Sequence, residues 1–381
     1  MRIAAELIAG YTFKQPFHLW LQELYRQNKQ FGSKDRKSFR DVFYGYWKLG
    51  SFGKNFSVEQ KLLAGLVRLQ SHTSMYDDIV QELFPDCSPS LTFDDLQKLA
   101  GECWKPYSPF SSYVSDRVDI NKLNIWFGDK APVWVKTNPR FQEEFIAFLN
   151  KKSIVFELFY GGIVKTSHEN LDEAILKGWC RIQDLGSQES LTVEILSDST
   201  LIWDACCGAG GKALLAKEMC PEATLYISDI RSQMVHNALQ RFSAEGKPPP
   251  FSSAIDLSAS VSKLVFDEKI NIAKPVFDTI ICDVPCSGSG TWRRTPEMLH
   301  IFSGSDLEQC AQKQCRIVKN ASAFLKPGGK LIYMTCSVFS AENEQNTCYL
   351  AKENGLTLIS EEYCGGYDKD ADFIYRAVLR K

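Results

Sequence analysis

Leu201-Ile202-Trp203-Asp204-Ala205-Cys206-Cys207-Gly208-Ala209-Gly210-Gly211-Lys212 is a short apolar run that ends on an acid and breaks into a glycine-rich turn. Such a run predicts a buried strand, and the turn predicts entry into a helix from about Lys212. The alternation continues outward from there. Thr224–Ser228 reads as a strand ending at Asp229, with a helix through Phe242 behind it. After the Pro248–Pro250 turn, Phe251–Ile255 ends at Asp256, and Phe277–Cys282 ends at Asp283. Asp306–Leu325 reads as a long amphipathic helix stopped by Lys326-Pro327-Gly328-Gly329, and Lys330–Thr335 as a strand ending at Cys336. Strands alternating with helices predict an α/β fold, with a parallel sheet covered on both faces. Ligands of such sheets sit beyond the carboxyl ends of the strands.

Five predicted strands end on a polar or reactive residue: Asp204, Asp229, Asp256, Asp283 and Cys336. One acid after a strand is common; the ordered set is more informative than any member. The turn Cys206-Cys207-Gly208-Ala209-Gly210-Gly211-Lys212 is not Gly-x-Gly-x-x-Gly, and no Lys-Ser/Thr pair follows it, so dinucleotide and ATP readings are weak. Its glycines allow close approach of backbone to ligand. A helix N-terminus with backbone amides suits a carboxylate such as that of S-adenosylmethionine. Asp229 is placed to accept from a ribose diol. Asp256 either meets an adenine or caps a helix in Asp256-Leu257-Ser258.

The strongest local signal is Asp283-Val284-Pro285-Cys286-Ser287-Gly288-Ser289-Gly290, followed by Thr291-Trp292-Arg293-Arg294-Thr295-Pro296-Glu297. A Pro-Cys at a strand end in a Gly/Ser loop exposes a thiol at the mouth of a site. A second thiol stands in Tyr333-Met334-Thr335-Cys336-Ser337, with Glu342-Asn343-Glu344 shortly after. A buried structural role is the ordinary fate of a cysteine, and is expected for Cys282, Cys310, Cys315, Cys348 and Cys364. Cys286 and Cys336 are set apart because both follow strands into the expected pocket.

Residues 1 to about 120 read as helical, with apolar residues at helical spacing through Ile3–Ile8, Phe17–Tyr25, Phe39–Trp47 and Gln60–Leu69. The first 60 residues carry about ten Lys/Arg against about five Asp/Glu, and Lys34, Arg36, Lys37 and Arg40 cluster. A solvated helix start is the ordinary reading of such a run; with Arg293 and Arg294 it is also a candidate grip on phosphates. Residues 103–118 read as a linker rich in Ser, Pro and Tyr. A strand (Val133–Lys136), a helix (Phe141–Asn150) and a strand (Ile154–Leu158) suggest a small α/β module. The expected domains are thus 1–120, 121–195 and 196–381. Across all 381 residues 44% are hydrophobic, 24% are charged and the net charge is -2, so a globular chain is expected and bulk charge announces no nucleic acid. The 13 cysteines show no secreted disulfide framework, no two Cys-x-x-Cys pairs occur, and no apolar run reaches bilayer length. A cytoplasmic monomer without metal or membrane attachment is the expectation.

At Asp204–Lys212, Asp283–Glu297 and Tyr333–Glu344 the chain resembles the Sun-type family of RNA cytosine-5 methyltransferases, which includes bacterial small-subunit rRNA enzymes. Asp372-Phe373-Ile374-Tyr375-Arg376-Ala377 is similar to that family's last strand, and Gln183–Gln188 and Trp134–Pro139 to its lead-in. Ser33–Arg36 with Val42–Gly45 is similar to the NusB-like RNA-binding domain of bacterial members. The resemblance implies a Rossmann-like class I methyltransferase domain on a mostly parallel seven-stranded sheet. An all-α NusB-like domain and a small RRM-like α/β module would precede it. It also implies S-adenosyl-L-methionine as cofactor, held by Cys206–Lys212 (Cys206, Cys207, Gly208, Ala209, Gly210, Gly211 and Lys212), Asp229, Asp256 and Asp283. Cys336 would be the nucleophile and Cys286 the group that assists product release, with Asp283 and Lys212 beside them. The substrate would be RNA, ribosomal first and transfer RNA second. The chain departs from the family in having Ala209 for proline and Cys207-Gly208 for Ala-Ala, and Arg231 is placed to substitute for a basic residue expected at Met234. Two other readings remain: an RNA-binding or ribosome-assembly factor with impaired catalysis, and a methyltransferase acting on a non-RNA substrate.

Overall fold

A computed structural model describes residues 1–69, 76–88, 90–104, 110–167 and 171–381. Residues 105–109 of the expected linker lie outside the described set. The chain forms two compact units: Met1–Ser112 with Asp119–Lys130 and Trp292–Ser303, and Tyr113–Val118 with Ala131–Thr291 and Gly304–Lys381. The expected division is into three consecutive segments, 1–120, 121–195 and 196–381; the two compact units are grouped differently. The helical unit recruits a piece from far along the chain, and the small α/β module shares one compact unit with the large sheet.

The helical unit is built from the helices Arg2–Ala9, Phe17–Gln27, Ser33–Lys48, Val58–Arg68, Tyr76–Leu83, Phe93–Ala100 and Ile120–Gly128. Ser57 caps Val58–Arg68 through a reciprocal bond with Gln60, and the Asp119 carboxylate caps Ile120–Gly128. Phe17, Phe43, Leu62 and Leu66 lie in its core. The recruited segment is tied in by Lys48, whose Nζ donates to the carbonyls of Phe127, Asp129 and Arg293 at 2.9, 2.6 and 2.9 Å. Among the described residues no helix is long and apolar enough to cross a membrane.

The second unit opens with an antiparallel sheet of β1 (Val133–Thr137), β2 (Phe156–Phe159), β3 (Ile163–Thr166) and β4 (Cys180–Ile182), in the order β2-β3-β1-β4. The sequence pattern missed β3 and β4, which are short. The large sheet follows with β5 (Leu201–Asp204), β6 (Thr224–Asp229) and β7 (Phe251–Ala254), then a small hairpin of β8 (Leu264–Phe266) and β9 (Ile270–Ile272). It closes with β10 (Phe277–Asp283), β11 (Leu325–Thr335), β12 (Thr357–Gly365) and β13 (Phe373–Arg380). Its order is β12-β13-β11-β10-β5-β6-β7. The five strands from β11 to β7 are parallel, and β13 and β12 add antiparallel at one edge. This is the Rossmann-like methyltransferase arrangement.

The two faces of this sheet bury separate cores. Trp203, Phe277, Phe324 and Tyr333 lie in one, and Ile202, Leu214, Ile227 and Ile332 in the other. Burial on both faces fits the apolar stretch Ile280-Ile281-Cys282 near the end of β10. Trp203 satisfies its buried indole N–H on the Ser228 hydroxyl at 3.0 Å. The long helix runs Gly304–Ser322, shorter at its end than expected, and Lys326-Pro327-Gly328-Gly329 lies within β11 rather than before it. Those residues form an irregularity in the β10–β11 register, where the pairing jumps from Phe277↔Leu325 to Thr279↔Lys330.

Candidate active site

The order of strands reverses between β5 and β10, and the crevice outside their carboxyl ends is where such a sheet takes its ligand. A cavity of about 660 Å³ opens there. Its walls include Cys206, Cys207, Gly208, Ala209, Gly211 and Lys212 from the first turn, with Asp229, Arg231, Asp256 and Asp283. Cys286 and Cys336 complete it. Five strand ends read from the sequence thus converge on one place, although Asp204 lies beneath the floor rather than on the wall. Gly210 does not line the cavity; it shapes the turn.

The turn works because of its glycines. Gly208 and Gly210 have φ of 49° and 85°, and a Cβ at Gly210 would sit 2.9 Å from the Cβ of Ala238. The helix Gly211–Met219 starts from this turn and offers the unpaired N–H groups of its first turn. The Asp229 carboxylate accepts from Gly208 N at 3.0 Å, and from Arg231 through its backbone N at 2.9 Å and its Nε at 3.1 Å. Arg231 therefore braces the Asp229 carboxylate at the cavity wall. Asp256 is exposed and accepts from Ser258 N and Oγ at 2.8 and 2.6 Å, which pulls its pKa down. It closes a local turn and no helix follows, so the expected cap is a turn instead.

Lys212 is buried and pairs with Asp283 at 2.9 Å, while also donating to Ser187 Oγ at 3.0 Å. Burial pulls its pKa down, but the charge and hydrogen bond of Asp283 outweigh this and the net shift is upward. The lysine is therefore a fixed positive charge, and charge on the Cys336 sulfur adds to the upward pull. Ser187 belongs to the lead-in segment and sequence reasoning gave it no role. Below the pair, both Asp204 carboxylate oxygens are buried without a hydrogen-bond partner. Burial, with the neighbouring Asp283 charge, pushes that carboxyl up to about 8.

Cys286 and Cys336 are each half-buried, and their sulfurs lie 3.3 Å apart. The Cys336 contact raises the Cys286 pKa most, followed by burial and the nearby charges of Cys336 and Glu342. The two thiols are hydrogen-bond partners, and either sulfur can be the donor. The other thiols differ. Cys282 and Cys364 are buried as expected, Cys310 and Cys315 are half-buried, and Cys348 is exposed, against expectation, because it lies on the outer face of the helix Glu344–Glu353.

The basic candidates separate. Lys34, Arg36 and Lys37 are exposed on the helix Ser33–Lys48; Arg40 is half-buried and lies 3.9 Å from Asp41. Arg36 donates to the Phe31 carbonyl and lies over the Tyr25 ring. Arg293 corrects its reading: it is buried, bonds the carbonyls of Asp129 and Lys130, and lies over Trp126. Its guanidinium is spent on backbone inside the helical unit, not on phosphate. Arg294 is half-buried. The described residues contain no group of three or more metal-ligating side chains.

The profile of the family described as 16S rRNA methyltransferase RsmB/F matches residues 192–371. The ribosomal RNA small subunit methyltransferase B of Vibrio cholerae is 29% identical over 256 residues, covering 61% of this chain and 54% of that protein. The same-named protein of Shewanella oneidensis is 27% identical over 235 residues, covering 59% and 52%. This chain spans about half the length of those relatives. Among solved structures, PH0851 superposes with a TM-score of 0.71 at 16% identity, covering 100% of this chain and 97% of that one. NSun6 from Pyrococcus horikoshii, solved with SFG, gives 0.56 at 13% identity, covering 81% and 98%. At such identities these two speak for the fold alone. S-adenosyl-L-methionine is the cofactor, and the pocket suits it: first-turn amides for a carboxylate, acids for a diol and an ammonium. Residues 192–371, which carry most of the pocket, thus match the RsmB/F methyltransferase family over a little under half of the chain.

Proposed function

We propose that this chain methylates carbon 5 of a cytosine in RNA, ribosomal RNA first, through a covalent bond between Cys336 and the base. The observation that carries the reading is the pair of sulfurs 3.3 Å apart on the wall of the cofactor pocket. A nitrogen methyltransferase has no use for two thiols there. Carbon 5 of cytosine is a poor nucleophile, and covalent catalysis splits the hard step in two. The Cys336 thiolate adds to carbon 6, and the ring electrons move so that carbon 5 becomes enamine-like. S-adenosylmethionine, when bound, supplies an electrophilic methyl group.

Lys212, held by Asp283, places a fixed cation near the Cys336 sulfur. Asp283, which Lys212 orients, accepts from the exocyclic amino edge of the base. In the release step the carbon-5 proton goes to the Cys286 sulfur as the proton of Cys286 passes to Cys336. The bond from carbon 6 to sulfur breaks and the ring double bond returns. Both thiols end protonated, and one proton goes to solvent before the next turnover. The base has to leave any helical stack to reach this pocket, so a single-stranded or flipped cytosine is required. Lys34, Arg36, Lys37, Arg40 and Arg294 are the proposed contacts to phosphate, and the helical unit is read as a NusB-like RNA-binding domain.

Ribosomal and transfer RNA transcripts incubated with enzyme and cofactor, then read by bisulfite sequencing, test the substrate. Cys336→Ala is expected to abolish methylation and adduct together, whereas Cys286→Ala accumulates a protein–RNA adduct on a denaturing gel. Normal turnover in Cys336→Ala, or adducts carried by Cys286, would overturn the assignment.

A further inference from the structure

The two reactive sulfurs sit on different loops, 50 residues apart in sequence, yet within 3.3 Å. Something has to hold both loops to that spacing. Two consecutive buried residues reach both. The Glu342 carboxylate accepts from the backbone N–H of Ser287 at 2.8 Å and from the Ser287 hydroxyl at 2.5 Å. Ser287 is the residue directly after Cys286. The same carboxylate accepts from Gln314 Nε2 at 2.9 Å, and Gln314 Nε2 also donates to the carbonyl of Pro285, directly before Cys286, at 3.1 Å. Asn343 does the same for the other loop. Its side-chain oxygen accepts from the hydroxyl of Thr335, and its Nδ2 donates to the carbonyl of Ser337 at 2.8 Å. Thr335 and Ser337 flank Cys336. Nδ2 also donates to Tyr363 Oη at 2.8 Å, which anchors the amide to β12. Each reactive cysteine is thus gripped by its two chain neighbours, and the two grips meet at one peptide bond.

We propose that Glu342 and Asn343 act as paired positioning residues that set the distance between the Cys286 and Cys336 sulfurs. The proposal rests on the reading of those two thiols as the reacting pair. Neither side chain touches the reacting atoms; each acts through the neighbours of a cysteine. Glu342 and Gln314 are fully buried, and three donors surround the Glu342 carboxylate. Burying a polar group in that way is costly unless its hydrogen bonds are met, so the arrangement gives the Cys286 loop a rigid anchor. Direct contacts also join the loops: Ser289 Oγ lies 3.0 Å from Ser337 Oγ, and Gly290 N donates to the Cys336 carbonyl at 2.9 Å. Those contacts alone are the competing explanation of the spacing.

A trivalent arsenical, phenylarsine oxide, reads the spacing without RNA or cofactor. It forms two As–S bonds with closely paired thiols, and its oxygen leaves as water with both thiol protons. The full-length chain is expected to take up the probe across Cys286 and Cys336, mapped by mass spectrometry and lost in Cys286→Ala and Cys336→Ala. Absence of this capture in the unmodified chain would defeat the reading of the sulfur pair itself. With capture present, Glu342→Gln and Asn343→Ala are each expected to slow it about 10-fold or more. They should leave S-adenosylmethionine affinity within about 3-fold and lower kcat on RNA about 100-fold with KM little changed, the scale of a misplacement near 1 Å. Capture at the unmodified rate in both variants would overturn the proposal in favour of the direct serine and glycine contacts. Should loss of cofactor binding show that either variant is misfolded, Glu342→Asp and Asn343→Asp decide by the same rates. Slowed capture in them supports the clamp and an unchanged rate overturns it.

Discussion

Asp204 shows how a single residue departs from its ordinary chemistry. It ends β5, and the sequence pattern alone made it one acid among four. In the folded chain both its oxygens are buried without partners, and burial next to Asp283 pushes its carboxyl up to about 8. The unfolded carboxyl titrates near about 3.9. Between those two values the folded state holds a proton that the unfolded state has released. Stability from this residue is therefore full below about pH 4 and falls as pH rises toward about 8. Asp204→Asn removes the titration, so the difference in Tm between variant and parent is expected to move in the variant's favour from about pH 5 to about pH 8.5. Thermal melts of the cofactor-free protein across that range check it; a difference that stays constant with pH would refute it.

Among the elements, close packing of backbone decides where helices and loops lie. The helices Ser33–Lys48 and Val58–Arg68 cross at Gly45 and Gly65. A Cβ on Gly45 would come within 2.6 Å of the Gly65 carbonyl carbon, and one on Gly65 within 2.3 Å of its counterpart. Neither glycine has positive φ, so the requirement is contact alone. Gly45→Ala forces the helices apart and is expected to destabilise the helical unit by about 1–3 kcal/mol. Chemical denaturation checks the loss, and cofactor affinity of the folded protein should stay unchanged, since the pocket is lined by residues of the other unit. The same kind of crowding acts near the site. A Cβ on Gly290 would lie 2.4 Å from the Phe373 carbonyl oxygen and 3.1 Å from that of Cys336.

For the whole molecule, the net charge of -2 conceals an uneven distribution. Lys34 and Lys37 lie exposed on the helical unit, far in sequence from Cys286 and Cys336. Phosphate contacts release counterions, so affinity for RNA falls with salt in proportion to their number. Lys34→Gln with Lys37→Gln is expected to weaken RNA binding and to reduce the slope of log affinity against log salt by about 1–2. Cofactor affinity should not change. A slope equal to that of the parent would remove these lysines from the RNA surface.

Local pattern was enough to read the five parallel strands of the large sheet, the helices between them and the residues at their carboxyl ends; the helix Glu344–Glu353 and β12 were not read, and β13 only through the family resemblance. Apolar periodicity is local, and in a parallel sheet a residue that follows its strand by one position is carried to the same edge as its counterparts. Asp229, Asp283, Cys286 and Cys336 were legible on that ground. Folding alone brought the two sulfurs to 3.3 Å and committed Lys212 to Asp283. It also buried Arg293 in the helical unit and joined Glu342 to a loop 55 residues away. The short strands β3, β4, β8 and β9 escaped the pattern too, because so few residues carry too little periodicity to be read. Hydrogen bonds and ion pairs between distant segments follow from how faces pack and loops close, and no local pattern of residues encodes that.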